Sequence, residues 1–426
     1  MKGTGVIPKV LRNPQFLKLW GNQILLQVGF NLCNYTALLI LGNKTHSPFI
    51  QSQFYTALTI PAFLFGVIAG PVVDMANKRK TMLITNGILI LLFFLYIFTN
   101  EQVIFIMILA FSTASVARFF IPAEAAEIPR IVTQEELEQA NAIFLFTLLG
   151  SVLAGYSLAG PLIQLFGGLG TVGERMPFLI ATVALIIGFV LCFFISQKEK
   201  EDLFIPKGGV ITRTFKLFWE TVVEIKTHTK ILLALVLLIF VELNVGILSV
   251  VLLEYVRRYL ALPLTSITYY LIFPLIVGLI VGSVLLDRIR KKFGTRSSIF
   301  YSCVVIGLLL LGLGVVPNIF ASPSQVHFVR FFSILSSVVT GICIVFIAVQ
   351  ARTILQVTTP ITMQGRVFSF LDVMVALVTP IPVLSLGFVA SRLSLLTTFI
   401  GFGAIVMLVA ITMNKFYTTN RNARIS

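Results

Sequence analysis

Acidic side chains are scarce in this chain, 17 Asp and Glu among 426 residues, and charged residues of both signs make up only 12% of it. So few charges cannot clothe a water-soluble surface, which excludes an ordinary soluble globular class. Cysteine is sparse too. Cys33, Cys192, Cys303 and Cys343 each stand singly inside an apolar run, without the spacing of a disulfide framework or a zinc site. His46, His228 and His327 lie far apart, so they supply neither a metal cluster nor an evident catalytic base. No GxxxxGK[ST] loop is present to cradle phosphates, so direct ATP hydrolysis is not expected. The expectation is a protein that is not an enzyme and requires no metal or cofactor.

What the chain does have is apolar sequence, 57% of its residues, with 38 phenylalanines. It reads as an integral membrane protein. A helix rising about 1.5 Å per residue needs roughly 20 apolar residues to cross about 30 Å of hydrocarbon. Twelve such runs are predicted, at approximately 16–41, 51–73, 81–99, 102–122, 141–166, 178–196, 230–254, 266–286, 297–316, 328–351, 367–390 and 395–414. Gly160 and Pro161, and the Thr379 to Pro382 stretch with its two prolines, predict kinks inside spans rather than ends. The run behind the basic amino terminus is too long for a signal peptide and lacks a small-residue cleavage site, so it is expected to remain as the first helix.

A net charge of +15 invites a nucleic-acid reading, but the placement of the cations argues against it. With the amino terminus inside, most of the 32 Lys and Arg fall on the cytoplasmic side, among them Lys2, Lys9, Arg12, Lys18, Lys78 to Lys80 and Arg288 to Arg296. The outer loops keep few, such as Lys44, Arg175, Arg257, Arg258 and Arg392. The excess is therefore topological: a multi-pass protein of the cell (inner) membrane with both termini cytoplasmic and no nucleic-acid partner.

Two segments nearly repeat each other. Gly70 and Asp74 are followed by Lys78, Arg79 and Lys80; Gly282 and Asp287 are followed by Arg288, Arg290, Lys291 and Lys292. Counting back by one step from each aspartate reaches Pro61 and Pro274, and the same offset, half the chain, lays Asn31 on Asn244. Two related six-helix halves are predicted, 1–196 and 230–426. The polar stretch 197–229 joins them. Within it Phe215, Phe218, Val222 and Ile225 recur at helical spacing, which predicts an interfacial amphipathic helix with Trp219 near the headgroups. One chain holds both halves, so a monomer suffices.

The first loop also carries a family resemblance. Gly70, Asp74, Lys78 and Arg79 match in register the signature between helices two and three of the major facilitator superfamily, and the similarity extends over nearly the whole chain. Met75 stands where Arg is usual and Asn77 where Gly is usual. In the second half Asp287 and Arg288 restore the acid–base pair, with Gly282 one residue too far away. The segment from Phe119 to Asn141, and Gln356 to Pro360 leading into Gly365 and Arg366, are similar to the third drug:proton antiporter group, which includes macrolide-efflux and enterobactin-export proteins. The resemblance implies a major facilitator fold that exports a sizeable, partly hydrophobic compound by proton-coupled alternating access. A lysophospholipid or other lipid carrier of the same fold is the alternative.

The resemblance further implies a cytoplasmic gate. An aspartate at a helix end can meet the positive amino-terminal end of another helix. Asp74 would dock near Gly365 and Arg366, and Asp287 near the start of helix five, with Gly70, Lys78, Arg79, Arg288 and Arg118 completing the gate. Ionisable residues inside a span cost several kcal/mol unless used or paired, which makes Glu242 and Asp372 the proton-coupling candidates. The antiporter group often has an acid after the glycine equivalent to Gly29; Phe30 stands there here, so these two must carry any coupled proton. Asn31, Asn34 and Asn244 offer amide hydrogen bonds to a substrate, and Phe30, Phe65 and Tyr269 an apolar wall. The expected partners are a small-molecule substrate, protons or another ion, and membrane lipid.

Overall fold

Every element of the computed structural model, which describes residues 9–99, 102–196, 219, 221–223, 225, 228–320, 322–359 and 361–422, is a helix. The main ones are α1 (Pro14–Thr45), α2 (Pro48–Asp74), α3 (Lys78–Tyr96), α4 (Val103–Ile131), α5 (Leu137–Leu165), α6 (Met176–Phe193), α7 (Thr229–Arg258), α8 (Phe273–Ile319), α9 (Val326–Thr358), α10 (Ile361–Val378), α11 (Pro380–Arg392) and α12 (Leu395–Asn422). The predicted linker lies almost wholly outside the described residues. At its end Trp219 is exposed and Ile225 buried.

Ten stretches among the described residues are long and apolar enough to cross a membrane. One of them, Leu264–Ile319, holds two spans, because Gly294 interrupts α8 with φ 78° and ψ 158°. No L side chain adopts that backbone easily, and a Cβ there would meet nothing within 4 Å, so the glycine serves the bend rather than packing. Helix α2 adds a further span of 27 residues, about 40 Å long. Helices α10 and α11 form one span, Arg366–Arg392, interrupted at Thr379 before Pro380. The result is the all-α fold of twelve spanning helices.

Helix α4 differs from the sequence expectation. The apolar run ends near Pro122, where glutamates begin, yet the helix continues through Pro122 and Pro129 to Ile131. Glu124 and Glu127 are thereby buried, at 4% and 5% exposure. Hydropathy underestimates a span whose polar end is covered by protein. Helix α5, by contrast, runs on through Pro161 as predicted.

The chain divides into two compact units. The first comprises Met1–Lys44, Gln53–Glu220 and Asp372–Leu377, the second Thr45–Ser52, Thr221–Leu371 and Val378–Ser426. In the first, α3 packs on α4 and α6, and Tyr96 stacks on Phe178 with ring centroids 5.0 Å apart. In the second, α8 packs on α9 and α12, and α7 on α9 and α11. Small residues permit the α8–α9 approach: a Cβ on Gly278 would collide with the Val338 carbonyl, and one on Gly341 with that of Leu275. Without a hydrophobic drive between helices in lipid, such close backbone packing supplies much of the cohesion.

Candidate functional site

Helix α1 carries a polar stripe at four-residue spacing, Gln23, Gln27, Asn31 and Tyr35. Its partners are on α5. Trp20 Nε1 donates to Thr147 Oγ1 at 2.8 Å, Gln23 Nε2 to the Phe144 carbonyl at 3.3 Å, and Asn31 Nδ2 to Ser151 Oγ at 3.5 Å. Tyr35 stacks on Tyr156, centroids 4.5 Å apart. Gly155 completes the seam, because a Cβ there would lie 2.6 Å from Asn31 Cβ. Asn31 thus sits in a helix–helix contact, Asn34 is buried, and Phe30 is half-buried on the adjoining face. Sequence reasoning picked the asparagines and missed Trp20, Gln23 and Gln27; the spacing of four was the available signal.

The equivalent residue of the second half behaves alike. Asn244 Nδ2 donates to the Phe240 carbonyl at 2.7 Å, as Asn31 Nδ2 donates to that of Gln27 at 2.8 Å. Each asparagine therefore ties its amide to its own helix four residues back. Asn244 Oδ1 is buried and accepts no hydrogen bond in this structure.

Glu242 lies two residues before it, on another face, and is exposed. It stands 13 residues into the 30-residue α7, about 20 Å from the start and near the middle of the span. Tyr269 is exposed as well, in a π-helical turn, Thr268–Ile272, with its ring 5.9 Å from that of Phe273.

The first unit joins two further candidates. Asp372, on the α10 segment that belongs to this unit, lies within electrostatic reach of Arg118 on α4. Arg118 Nε is buried and has no hydrogen-bond acceptor among the described residues. Beside them Phe65 packs its ring 5.9 Å from that of Phe119, and a Cβ on Gly66 would rest 3.6 Å from Val373. Two further acids, Asp74 at the end of α2 and Glu127 on α4, are other candidate partners for Arg118. Glu127 instead faces Arg130 at 3.9 Å, and the Asp74 side chain lies outside the described residues.

The two basic loops are built differently. At the first, Asn77 caps α3, its Oδ1 accepting from Lys80 N at 2.8 Å, which gives a physical use to the asparagine found in place of glycine. Lys78 is buried and donates to the Ala76 carbonyl at 2.9 Å. Arg79 donates to the Phe193 carbonyl and lies 5.6 Å from the centroid of the Phe193 ring. Lys18 donates to the next carbonyl, Phe194, at 2.8 Å. Two cations from different helices therefore neutralise the carbonyl end of α6, where unpaired acceptors and the negative end of the helix dipole coincide.

At the second loop Asp287 pairs with a residue one turn on, Arg290, at 3.0 Å. Arg288, Lys291 and Lys292 are exposed. The glycines also diverge: Gly282 is buried, with Ile342 Cα 2.9 Å from where a Cβ would stand, whereas Gly70 has open space. Gly282 is placed by α8–α9 packing, which accounts for its one-residue displacement from the loop pattern. Arg366 is exposed, and Gly365 lies on α10 among positions whose surroundings are not described.

A family model described as Major Facilitator Superfamily matches residues 19–334, well over half of the chain. The chain belongs to the major facilitator superfamily. None of the curated proteins matches it. Among solved structures this superfamily member resembles a POT family transporter, PepTSo, at 14% identity and TM-score 0.72, covering 96% of this chain and 98% of that one. It also resembles a bacterial homolog of the human lysosomal transporter Spinster (13%, TM-score 0.72, 97% and 98%) and the nucleoside transporter NupG (12%, TM-score 0.67, 94% and 98%). At such identities these likenesses establish the shared fold alone.

Proposed function

We propose that this superfamily member is a proton-coupled secondary exporter of hydrophobic or amphipathic small molecules, working by alternating access with both termini cytoplasmic. Its membership makes it a multi-pass membrane transporter acting on a small molecule. The observation that carries the finer reading is Glu242, an exposed carboxylate near mid-span of α7. An ionisable group at that depth costs several kcal/mol unless it is paired or used, which suits a role along the transport path. There it takes up a proton on one side and yields it on the other.

Asp372 is the second coupling group, with Arg118 as its counter-charge. Proton binding to Asp372 would free Arg118 and change the local charge during the cycle. Asn31, Asn34 and Asn244, with Phe30, Phe65 and Tyr269, form the proposed substrate surroundings. Gly70, Asp74, Lys78, Arg79, Asp287, Arg288, Gly365 and Arg366 form the proposed gate. The resemblance of 119–141 and 356–366 to the drug:proton antiporter group supports export rather than uptake.

The test is proton release or uptake on adding hydrophobic antibiotics, dyes and lysophospholipids to purified protein, comparing the native chain with Glu242→Gln and Asp372→Asn. Proton movement linked to a ligand and lost in Glu242→Gln is the expected result. A ligand that binds without moving protons in any of the three proteins overturns coupling, and if that ligand is a lysophospholipid, the lipid-carrier reading replaces this one.

A further inference from the structure

Helix α8 presents one continuous exposed face that changes character along its length. Val277, Ile280 and Val284 are 51%, 60% and 68% exposed, and the same three-to-four-residue step leads on to Arg288 and Lys291, also exposed. From Val284 to Lys291 the helix rises about 10 Å. An apolar face passing within that distance into cations has the profile of a bilayer leaflet, acyl chains followed by phosphates.

Residues 287–296 hold five cations, Arg288, Arg290, Lys291, Lys292 and Arg296, against one acid, Asp287. Only Arg290 is engaged with that acid. Lys292 lies 5.2 Å from the ring centroid of Phe293, itself half exposed, so an aromatic surface accompanies the charge. Gly294, with φ 78°, then turns the chain into the next span and brings the helical face to an end.

The homologous loop supplies the control. There Lys78 is buried on a carbonyl and Arg79 is spent on Phe193, so its cations serve the protein's own helices. At the α8 bend Arg288, Lys291 and Lys292 are exposed and serve no comparable carbonyl among the described residues. A purely topogenic role would require positive charge on one side of the membrane, but not its alignment with a lipid-exposed apolar face.

We propose that the α8 bend, through Arg288, Lys291 and Lys292 with Phe293, is a docking surface for the headgroups of anionic phospholipids. The exposed apolar face of Val277, Ile280 and Val284 lies along their acyl chains. The surface stands independently of the substrate and of proton coupling.

Native mass spectrometry of the full chain in a neutral detergent, titrated with phosphatidylglycerol or phosphatidylcholine, tests this. Each cation near an anionic surface is worth about fivefold in affinity, so Lys291→Gln with Lys292→Gln should weaken phosphatidylglycerol binding about thirtyfold and leave phosphatidylcholine binding unchanged. The native chain should also lose phosphatidylglycerol as salt rises, a measurement that needs no variant. Equal binding of both lipids, equal binding by the native and double-variant proteins, or salt-independent binding overturns the proposal. Displacement of phosphatidylglycerol by inorganic phosphate at matched concentration would overturn it too, in favour of a soluble-anion site.

Discussion

At the α2–α3 loop the cations turn inward, onto the carbonyl end of α6 and the Phe193 ring; at the α8 bend they turn outward. The two stretches share one sequence pattern, with their aspartates and prolines at a constant offset. What separates them is their surroundings. The first loop lies beside a helix terminus whose orphan carbonyls attract charge, and the second ends a helix with a lipid-ready face. A shared signature therefore fixes where charge is placed along the chain, and the neighbouring helix decides what the charge does.

The largest break in this comparison should come from Arg79→Ala. It removes a charged hydrogen bond to the Phe193 carbonyl and a cation–π contact, together worth about 2–3 kcal/mol. Thermal unfolding in detergent should show a clear loss for Arg79→Ala. Arg79→Lys should lose less, since the charge is retained and the planar stacking is not. Unfolding of Arg79→Ala at the native temperature would remove the distinction between the loops.

The glycines give the next contrast. Gly282→Ala places a methyl group against Ile342 and should cost about 1–3 kcal/mol by overpacking. Gly70→Ala enters open space within a helix and should be neutral or stabilising by about 0.5–1 kcal/mol. Comparing the two variants' thermal midpoints checks the assignment; a Gly70 variant that is the less stable of the pair would mean that the first glycine, too, is a packing residue. Asn77→Ala tests the cap that replaces the usual glycine, and about 1 kcal/mol should be lost with it.

Much of this architecture was legible in the sequence because hydropathy reports directly on spans, and the break at Pro380 was marked by the prolines that cause it; the bend at Gly294 falls between the predicted spans 266–286 and 297–316 and emerges only in the structure. Helix α4 was read short because its last turns carry Glu124 and Glu127, whose burial depends on neighbouring helices rather than on local sequence. The inward fate of Arg79 was hidden for the same reason: its acceptor, Phe193, lies 114 positions away. The polar seam of α1 was only half visible. Asn31 stood out as an amide in an apolar run, but Gln23 and Tyr35 gain their meaning from Phe144 and Tyr156 of α5, whose Ser151 and Gly155 are unremarkable in isolation. The Arg118–Asp372 approach joins residues from distant spans and left no local trace.

The smallest effect should be found at Arg290. Its bond to Asp287 spans one helical turn between two exposed side chains, 45% and 73% accessible, where water competes for both partners. Such pairs contribute about 0–1 kcal/mol and weaken with salt. Arg290→Ala and Asp287→Asn should therefore each leave the thermal midpoint nearly unchanged. They should nonetheless differ in lipid binding: losing Arg290 removes one cation from the patch, and losing the Asp287 charge removes its only acid. Phosphatidylglycerol should accordingly bind more weakly to the first variant and more tightly to the second, with stability equal in both. Opposite lipid responses at constant stability would establish that charge at this bend acts outward. A destabilisation by Arg290→Ala as large as that by Arg79→Ala would show instead that both loops hold their own helices together.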